Sequence, residues 1–257
     1  MSANPCPFVW YELLTTDPDA AAAFYCRVLG WTAADAGVDG APYTIVAVGG
    51  TGVGGLMKLP ADAAAQGLQP NWTGYVGVAD VDTIAARVRA AGGKLHRPPQ
   101  DIPGVGRFAV VGDPQGAVLC LFKGSMQEPP PQLPPRTAGT FGWHELYADE
   151  LDAAWRYHSA LFGWTRADTV DLGEAGVYQL FAVGGTPIGG MMKRPPQVRA
   201  ACWLYYVNVD AIDAALARVT HAGGRVVNGP MAVPGGQWIA QCADPQGAMF
   251  ALVADRR

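Results

Sequence analysis

The first thirty residues change their hydrophobic period once. Phe8 to Thr15 is a short run of apolar and aromatic residues bounded by Pro7 and Asp17, which predicts a strand. Asp17 fits a helix N-cap with Pro18 at the first helical position. Ala21, Phe24, Tyr25, Val28 and Leu29 then recur at helical spacing, and Gly30 supplies the C-terminal stop. Strands are predicted near Trp31 to Asp35, Tyr43 to Val48 and Val53 to Lys58, with Gly49-Gly50 as a turn. The order is βαβββ. It restarts with a strand from Trp72 to Ala79 and a helix from Val81, with Ile84, Ala85 and Val88 on one face and Gly92-Gly93 as its stop. Three more strands follow. The last two, Arg107 to Val111 and Ala117 to Phe122, flank Asp113-Pro114-Gln115-Gly116, which has the residues of a type I turn.

The whole pattern then recurs. Trp10-Tyr-Glu-Leu through Gly30-Trp31 returns as Trp143-His-Glu-Leu through Gly163-Trp164. Tyr43 to Gly50 matches Tyr178 to Gly185, and Gly54-Gly55-Leu-Met-Lys58 matches Gly189-Gly190-Met-Met-Lys193. Asp113 to Ala117 is repeated unchanged as Asp244 to Ala248. Collinear matches of this extent mark a duplication. The expected organisation is a domain over 1–123, a linker over 124–140 whose five prolines (Pro129, Pro130, Pro131, Pro134, Pro135) favour an extended spacer, and a second domain over 141–257. The fold class is α+β: four βαβββ modules whose strands curl around concave cups, with helices on the outer face.

Composition narrows the function classes. In 257 residues, half are hydrophobic and 16% charged, so the chain has enough apolar material for folded domains. The formal net charge is −4 and basic residues are not clustered, which argues against nucleic acid as a partner. The N-terminus lacks the basic and apolar regions of a signal peptide, and no long uninterrupted apolar stretch occurs, so a cytoplasmic protein without a membrane partner is expected. Five widely spaced cysteines without a CxxC pair point to reduced thiols.

The four modules, the entry ELLTTDPDAAAAFYCRVLGW and the ending DPQGAVLCLF together resemble the vicinal oxygen chelate superfamily, which includes glyoxalase I, extradiol dioxygenases and bleomycin-resistance proteins. The resemblance covers nearly all of the chain outside the linker. It implies tandem glyoxalase-like domains and, in catalytic members, a divalent metal held by His and Glu. Carried onto this sequence, the first ligand positions fall on Trp10 and Trp143, and the second near Leu56 or Met57 and near Met191 or Met192. The third fall near Gly74 and Tyr205, the fourth on Cys120 and Ala251. None is a histidine, so no metal and no cofactor are expected.

Among titratable groups, Glu12 and Glu145 lie two residues beyond Trp10 and Trp143 and share their strand face, which makes them candidate acid-base residues as well as candidate structural carboxylates. His144 and His158 are expected to pack against helices, and His96 and His221 have no companions at ligand spacing. Trp10, Met57, Trp72, Phe108, Cys120, Trp143, Met191, Trp203, Tyr205 and Trp238 are the candidate ligand-lining residues of the cups. The leading expectation is metal-independent binding or sequestration of a small hydrophobic or aromatic metabolite or antibiotic. The alternative is a glyoxalase-like lyase, isomerase or oxygenase using Glu12 or Glu145, or a metal site not recognised in the sequence. A third reading makes the cups plain cores. Because the duplication supplies two domains in one chain, a monomer is favoured over a homodimer.

Overall fold

The computed structural model describes residues 6–37, 42–125 and 133–257; Pro129, Pro130 and Pro131 of the expected linker lie outside them. The first module runs β1 (Phe8–Thr15), α1 (Pro18–Leu29), β2 (Thr32–Asp35), β3 (Tyr43–Val48) and β4 (Thr51–Lys58). A short helix, α2 (Ala61–Ala65), leads into the second: β5 (Asn71–Gly77), α3 (Val81–Ala90), β6 (Lys94–Ile102), β7 (Gly106–Gly112) and β8 (Val118–Gly124). The third module comprises β9 (Phe141–Ala148), α4 (Leu151–Phe162), β10 (Thr165–Asp171), β11 (Val177–Val183) and β12 (Thr186–Lys193). The fourth comprises β13 (Cys202–Asn208), α5 (Ile212–His221), β14 (Arg225–Ala232), β15 (Trp238–Ala243) and β16 (Met249–Ala254). The helix α2 has no counterpart in the sequence reading, because its run of alanines gives no apolar stripe and none of its residues is buried.

The helices follow their local signals. Asp17 caps α1 by accepting from the Ala20 amide at 3.0 Å, and Gly30 ends it in the left-handed region at φ 73°. All five stripe residues predicted for α1 are buried. In α4 the N-cap, Glu150, makes no side-chain cap. Gln115 from the Asp113 turn braces that end instead: its Nε2 donates to the Glu150 carbonyl at 3.0 Å and its Oε1 accepts from the Glu150 amide at 2.7 Å. Asp113 Oδ1 in turn accepts from the amides of Gln115 and Ala117, both at 2.9 Å.

Two eight-stranded sheets result, ordered β2-β3-β4-β1-β5-β8-β7-β6 and β10-β11-β12-β9-β13-β16-β15-β14. Within each, the strands of a hairpin pair antiparallel, while β1 pairs parallel with β4 and β9 parallel with β12. The chain divides into two compact units. One holds Met1–Trp10, Gly74–Pro130 and Trp143–Leu204, the other Tyr11–Thr73, Pro131–Gly142 and Tyr205–Arg257. Each unit thus takes one module from either half of the sequence repeat.

Their cores are built on the same plan but finished differently. In the second unit, Trp72 Nε1 donates to the Tyr25 hydroxyl at 2.8 Å, and that hydroxyl donates to Asp244 Oδ2 at 3.0 Å. All three side chains of this relay are paired, as groups withdrawn from water require. In the first unit the matching residues are Trp203, His158 and Asp113. His158 Nδ1 lies 2.9 Å from the Ala154 carbonyl and Nε2 is 3.8 Å from Asp113, beyond a hydrogen bond. Trp203 Nε1 is buried without a hydrogen-bond partner. Burial also lowers the pKa of His158, against the pull of Asp113. An imidazole is shorter than a phenol and does not reach both neighbours.

Replacing His158→Tyr should therefore raise the thermal midpoint, since satisfying one buried donor is worth about 1–3 kcal/mol. The reverse change, Tyr25→His, should lower it by a similar amount; differential scanning calorimetry of the two variants checks both signs.

Candidate functional site

The two faces of each sheet separate by strand alternation. In β1, Tyr11, Leu13 and Thr15 are buried, while Trp10, Glu12 and Leu14 point to the other face and are partly exposed. Paired residues in neighbouring strands share a face, so the register extends this assignment. Glu12 sits beside Gly55 and Leu14 beside Met57, and Tyr43 is opposite Met57. In the second sheet Glu145 sits beside Gly190 and Tyr147 beside Met192.

The glycine beside each glutamate is there to admit a ring. A Cβ on Gly55 would lie 2.0 Å from the Tyr43 hydroxyl oxygen, and one on Gly190 would lie 2.2 Å from two carbons of the Tyr178 ring. Each tyrosine is thus laid over the strand next to its glutamate. In the first unit the tyrosine joins an indole to the glutamate. Trp143 Nε1 donates to the Tyr178 hydroxyl at 2.7 Å, and Tyr178 and Glu145 are hydrogen-bonded through their side chains. Because the phenol oxygen already accepts from the indole, its single proton is directed to the carboxylate. Burial and the Glu145 charge hold the Tyr178 hydroxyl well above its ordinary pKa, so it stays a donor. Glu145 itself is only 6% exposed. The neighbouring Cys202 thiol is pushed up to about 11 by burial and by Glu145, which makes it a poor nucleophile.

A second cluster in the same unit is apolar. Tyr75, Phe108 and Cys120 are buried together, and Trp10, Ile102, Val110 and Phe122 pack against them while remaining only partly buried. Tyr75 meets Phe122 edge-on with centroids 6.2 Å apart. Register joins them on one face, since Tyr75 pairs with Cys120, Cys120 with Val110 and Phe108 with Phe122. No helical residue belongs to this cluster among the described residues.

The sequence-predicted residues divide between the faces. Trp10, Met57, Phe108, Cys120 and Trp143 lie on the helix-free faces with Glu12 and Glu145. Five others do not. Trp72 donates to Tyr25 of α1, and Trp203 stands edge-on to His158 of α4 at 5.5 Å, so both fill the helix-sheet interface. Tyr205 is fully buried against Tyr11, with ring centroids 5.6 Å apart. Met191 pairs with Leu146 on the buried face; Met192 beside it is the true counterpart of Met57. Trp238 pairs with Ala254 and lies under the Arg257 guanidinium at 5.0 Å, and Arg257 is itself bonded to Asp213 of α5. A register error of one residue exchanges faces, which is what separates Tyr205 from Tyr206 and Met191 from Met192. Sequence reasoning passes over Tyr43, Tyr178, Tyr75 and Tyr206, although the tyrosine repeated at 43 and 178 together with Gly55 and Gly190 is a usable signal. The expected packing role of His144 fits its surroundings: it stacks on Phe8 at 4.1 Å, and burial takes its pKa down to about 4.

The family model described as the Glyoxalase/Bleomycin resistance protein/Dioxygenase superfamily matches residues 8–121 and 140–252. The chain belongs to this superfamily. Among its relatives, the Mycobacterium tuberculosis protein named "Putative glyoxylase CFP32" is 31% identical over 95% of this chain and 93% of its own length. The Streptomyces peucetius "Anthracycline biosynthesis protein DnrV" is 33% identical over 95% of this chain and 91% of its own. Among solved structures, the Mn(II)-bound glyoxalase from Novosphingobium aromaticivorans matches all of this chain and 83% of its own, with a TM-score of 0.67 at 16% identity. A variant of homoprotocatechuate 2,3-dioxygenase from B. fuscum matches 100% of this chain and 73% of its own, with a TM-score of 0.69 at 15% identity. These structural likenesses establish the tandem glyoxalase-like fold.

One of these neighbours holds Mn(II); at the strand positions that the sequence resemblance implies for metal ligands, this chain carries side chains that do not fit such an ion. Those positions are Trp10 and Trp143, Leu56 or Met57 and Met191 or Met192, Gly74 and Tyr205, and Cys120 and Ala251. Indoles, thioethers and a single thiol do not make a divalent-ion site of the imidazole and carboxylate kind. Among the described residues, no group of three or more His, Cys, Asp or Glu side chains is placed to hold a metal. Likewise, no described helix is long and apolar enough to cross a membrane.

Tyr178→Phe should strand the Trp143 N–H and remove one donor from Glu145, lowering stability by about 1–3 kcal/mol in urea unfolding. The matched Tyr25→Phe variant serves as the reference for loss of a buried hydroxyl.

Proposed function

We propose that the chain binds a small flat aromatic or hydrophobic molecule against Trp10, Val110 and Phe122, the partly uncovered rim of the Tyr75 and Phe108 cluster, without a metal. The observation that carries this reading is a buried aromatic cluster whose outer members stay partly uncovered on the helix-free face. Apolar side chains that a fold leaves half-covered around a packed centre are suited to a ligand that completes their burial. Aromatic rings add stacking to that burial, which favours a flat ligand over a branched aliphatic one. A relative named for anthracycline biosynthesis is in keeping with an aromatic natural product as the ligand class.

Tryptophan fluorescence titrated with a panel of fused-ring aromatic compounds should show saturable quenching. Phe122→Ala should weaken that binding about tenfold, a loss of roughly 1.4 kcal/mol. Silence across the panel would remove the binding reading.

A second reading has its own observation, the directed chain from the Trp143 indole through the Tyr178 hydroxyl to the buried Glu145 carboxylate. In a glyoxalase-like lyase, isomerase or oxygenase, Glu145 would take or return a proton while Tyr178 steadies its charge. Once a turnover assay exists, Glu145→Gln should lower kcat by about a hundredfold or more with ligand affinity retained. Unchanged kcat would eliminate this carboxylate as the acid-base group.

A further inference from the structure

The aromatic wall has a charged edge. In β6 the register to β7 jumps between Arg97 and Gln100: Arg97 lies opposite Val110 and Gln100 opposite Phe108, with Pro98 and Pro99 between them. Val110 and Phe108 both belong to the aromatic cluster, one at its partly covered rim and one in its buried centre, so the Arg97 and Gln100 side chains emerge on its face. Two prolines have fixed φ and lack amide donors, so this bulge is a stiff one and its flanking residues are held in place. The Arg97 guanidinium lies over the Phe108 ring, with Cζ 5.8 Å from the centroid. A guanidinium held against a ring keeps its N–H donors at its edges, where a planar carboxylate can take two of them at once.

The acidic residues of this region are committed elsewhere. Asp101 and Asp82 both bind Arg107, at 2.9 and 2.6 Å. Asp101 follows Gln100 directly and so alternates to the opposite face of β6. Among the ion pairs of the described residues, none includes Arg97. The counterpart in the other sheet is Asn228, opposite Gln241, which carries no charge.

We infer that this wall selects an aromatic acid, a ring system bearing a carboxylate that Arg97 binds while the ring lies on Trp10, Val110 and Phe122, the partly uncovered members of the cluster. Gln100 offers the acid a further donor at the same edge. This deepens the binding reading above and rests on it. The specificity belongs to the first sheet alone, because Asn228 gives the second a neutral edge.

The test compares an anthraquinone carboxylate with its methyl ester, using tryptophan quenching and calorimetry on the full chain. The acid should bind about tenfold tighter than the ester, and added salt should erode the difference, as for a partly exposed ion pair. Arg97→Gln should bring the two affinities together by weakening the acid and leaving the ester within about twofold; circular dichroism confirms the fold of this surface variant. Equal binding of acid and ester to the unaltered chain would overturn the inference and leave the binding reading intact. A preference for the acid that survives Arg97→Gln would also overturn it. Failure of both compounds to bind would sink the two together.

Discussion

The parallel pairing of β9 with β12 sets Gly190 beside Glu145, and much of the chemistry in this protein depends on that juxtaposition. Any side chain at position 190 would occupy the place of the Tyr178 ring. With the ring admitted, the phenol reaches the carboxylate on one side and the Trp143 indole on the other. A carboxylate this deeply buried is tolerable only with donors around it, so the glycine indirectly makes the buried charge possible. The same glycine-glutamate pairing, with Tyr43 laid over Gly55, recurs at Glu12. Duplication has preserved a backbone requirement along with the side chains that use it.

The elements were largely legible because each rests on local chemistry. The Asp17 cap, the apolar stripe of α1, the left-handed Gly30 and the Asp113 turn all act within a few residues of themselves. The site was legible only in part, because which face a strand residue takes depends on register across the sheet. Trp72 and Trp203 read as ligand-lining residues by their size and position. Yet large aromatics gain most where a helix can cover them completely, and both went there. Tyr75 and Tyr206, three positions further along the same strands, hold the helix-free faces instead. The aromatic cluster around Phe108 was nearer to the sequence reading, since β7 and β8 form a hairpin whose turn fixes their register.

The two units also show how duplicated domains drift apart. Where one uses Tyr25 to link an indole to an aspartate, the other uses a histidine that meets neither at hydrogen-bonding distance and leaves the Trp203 indole N–H unsatisfied. At the sheet edge, Arg97 faces an aromatic wall in one half where Asn228 stands in the other. The backbone plan is shared while polar contacts and edge charge differ, which is the pattern expected when two copies cease to serve one identical task.

The crossed composition of the units has a consequence for how the chain is made. Tyr25, near the beginning, shares its core with Phe250 at a centroid distance of 5.3 Å and binds Asp244, 219 residues away. Arg218 likewise reaches back to the Val28 carbonyl. Contacts that span so much sequence close large loops and slow the search for the native state. On the ribosome, α1 can pack on the strands of its own module early, while the sides of Phe24 and Tyr25 that meet Phe250 stay uncovered until that residue has emerged. The fourth module completes the core around α1, so a nascent chain stalled before Asp244 and Phe250 would expose part of Phe24 and Tyr25 to chaperones or to aggregation.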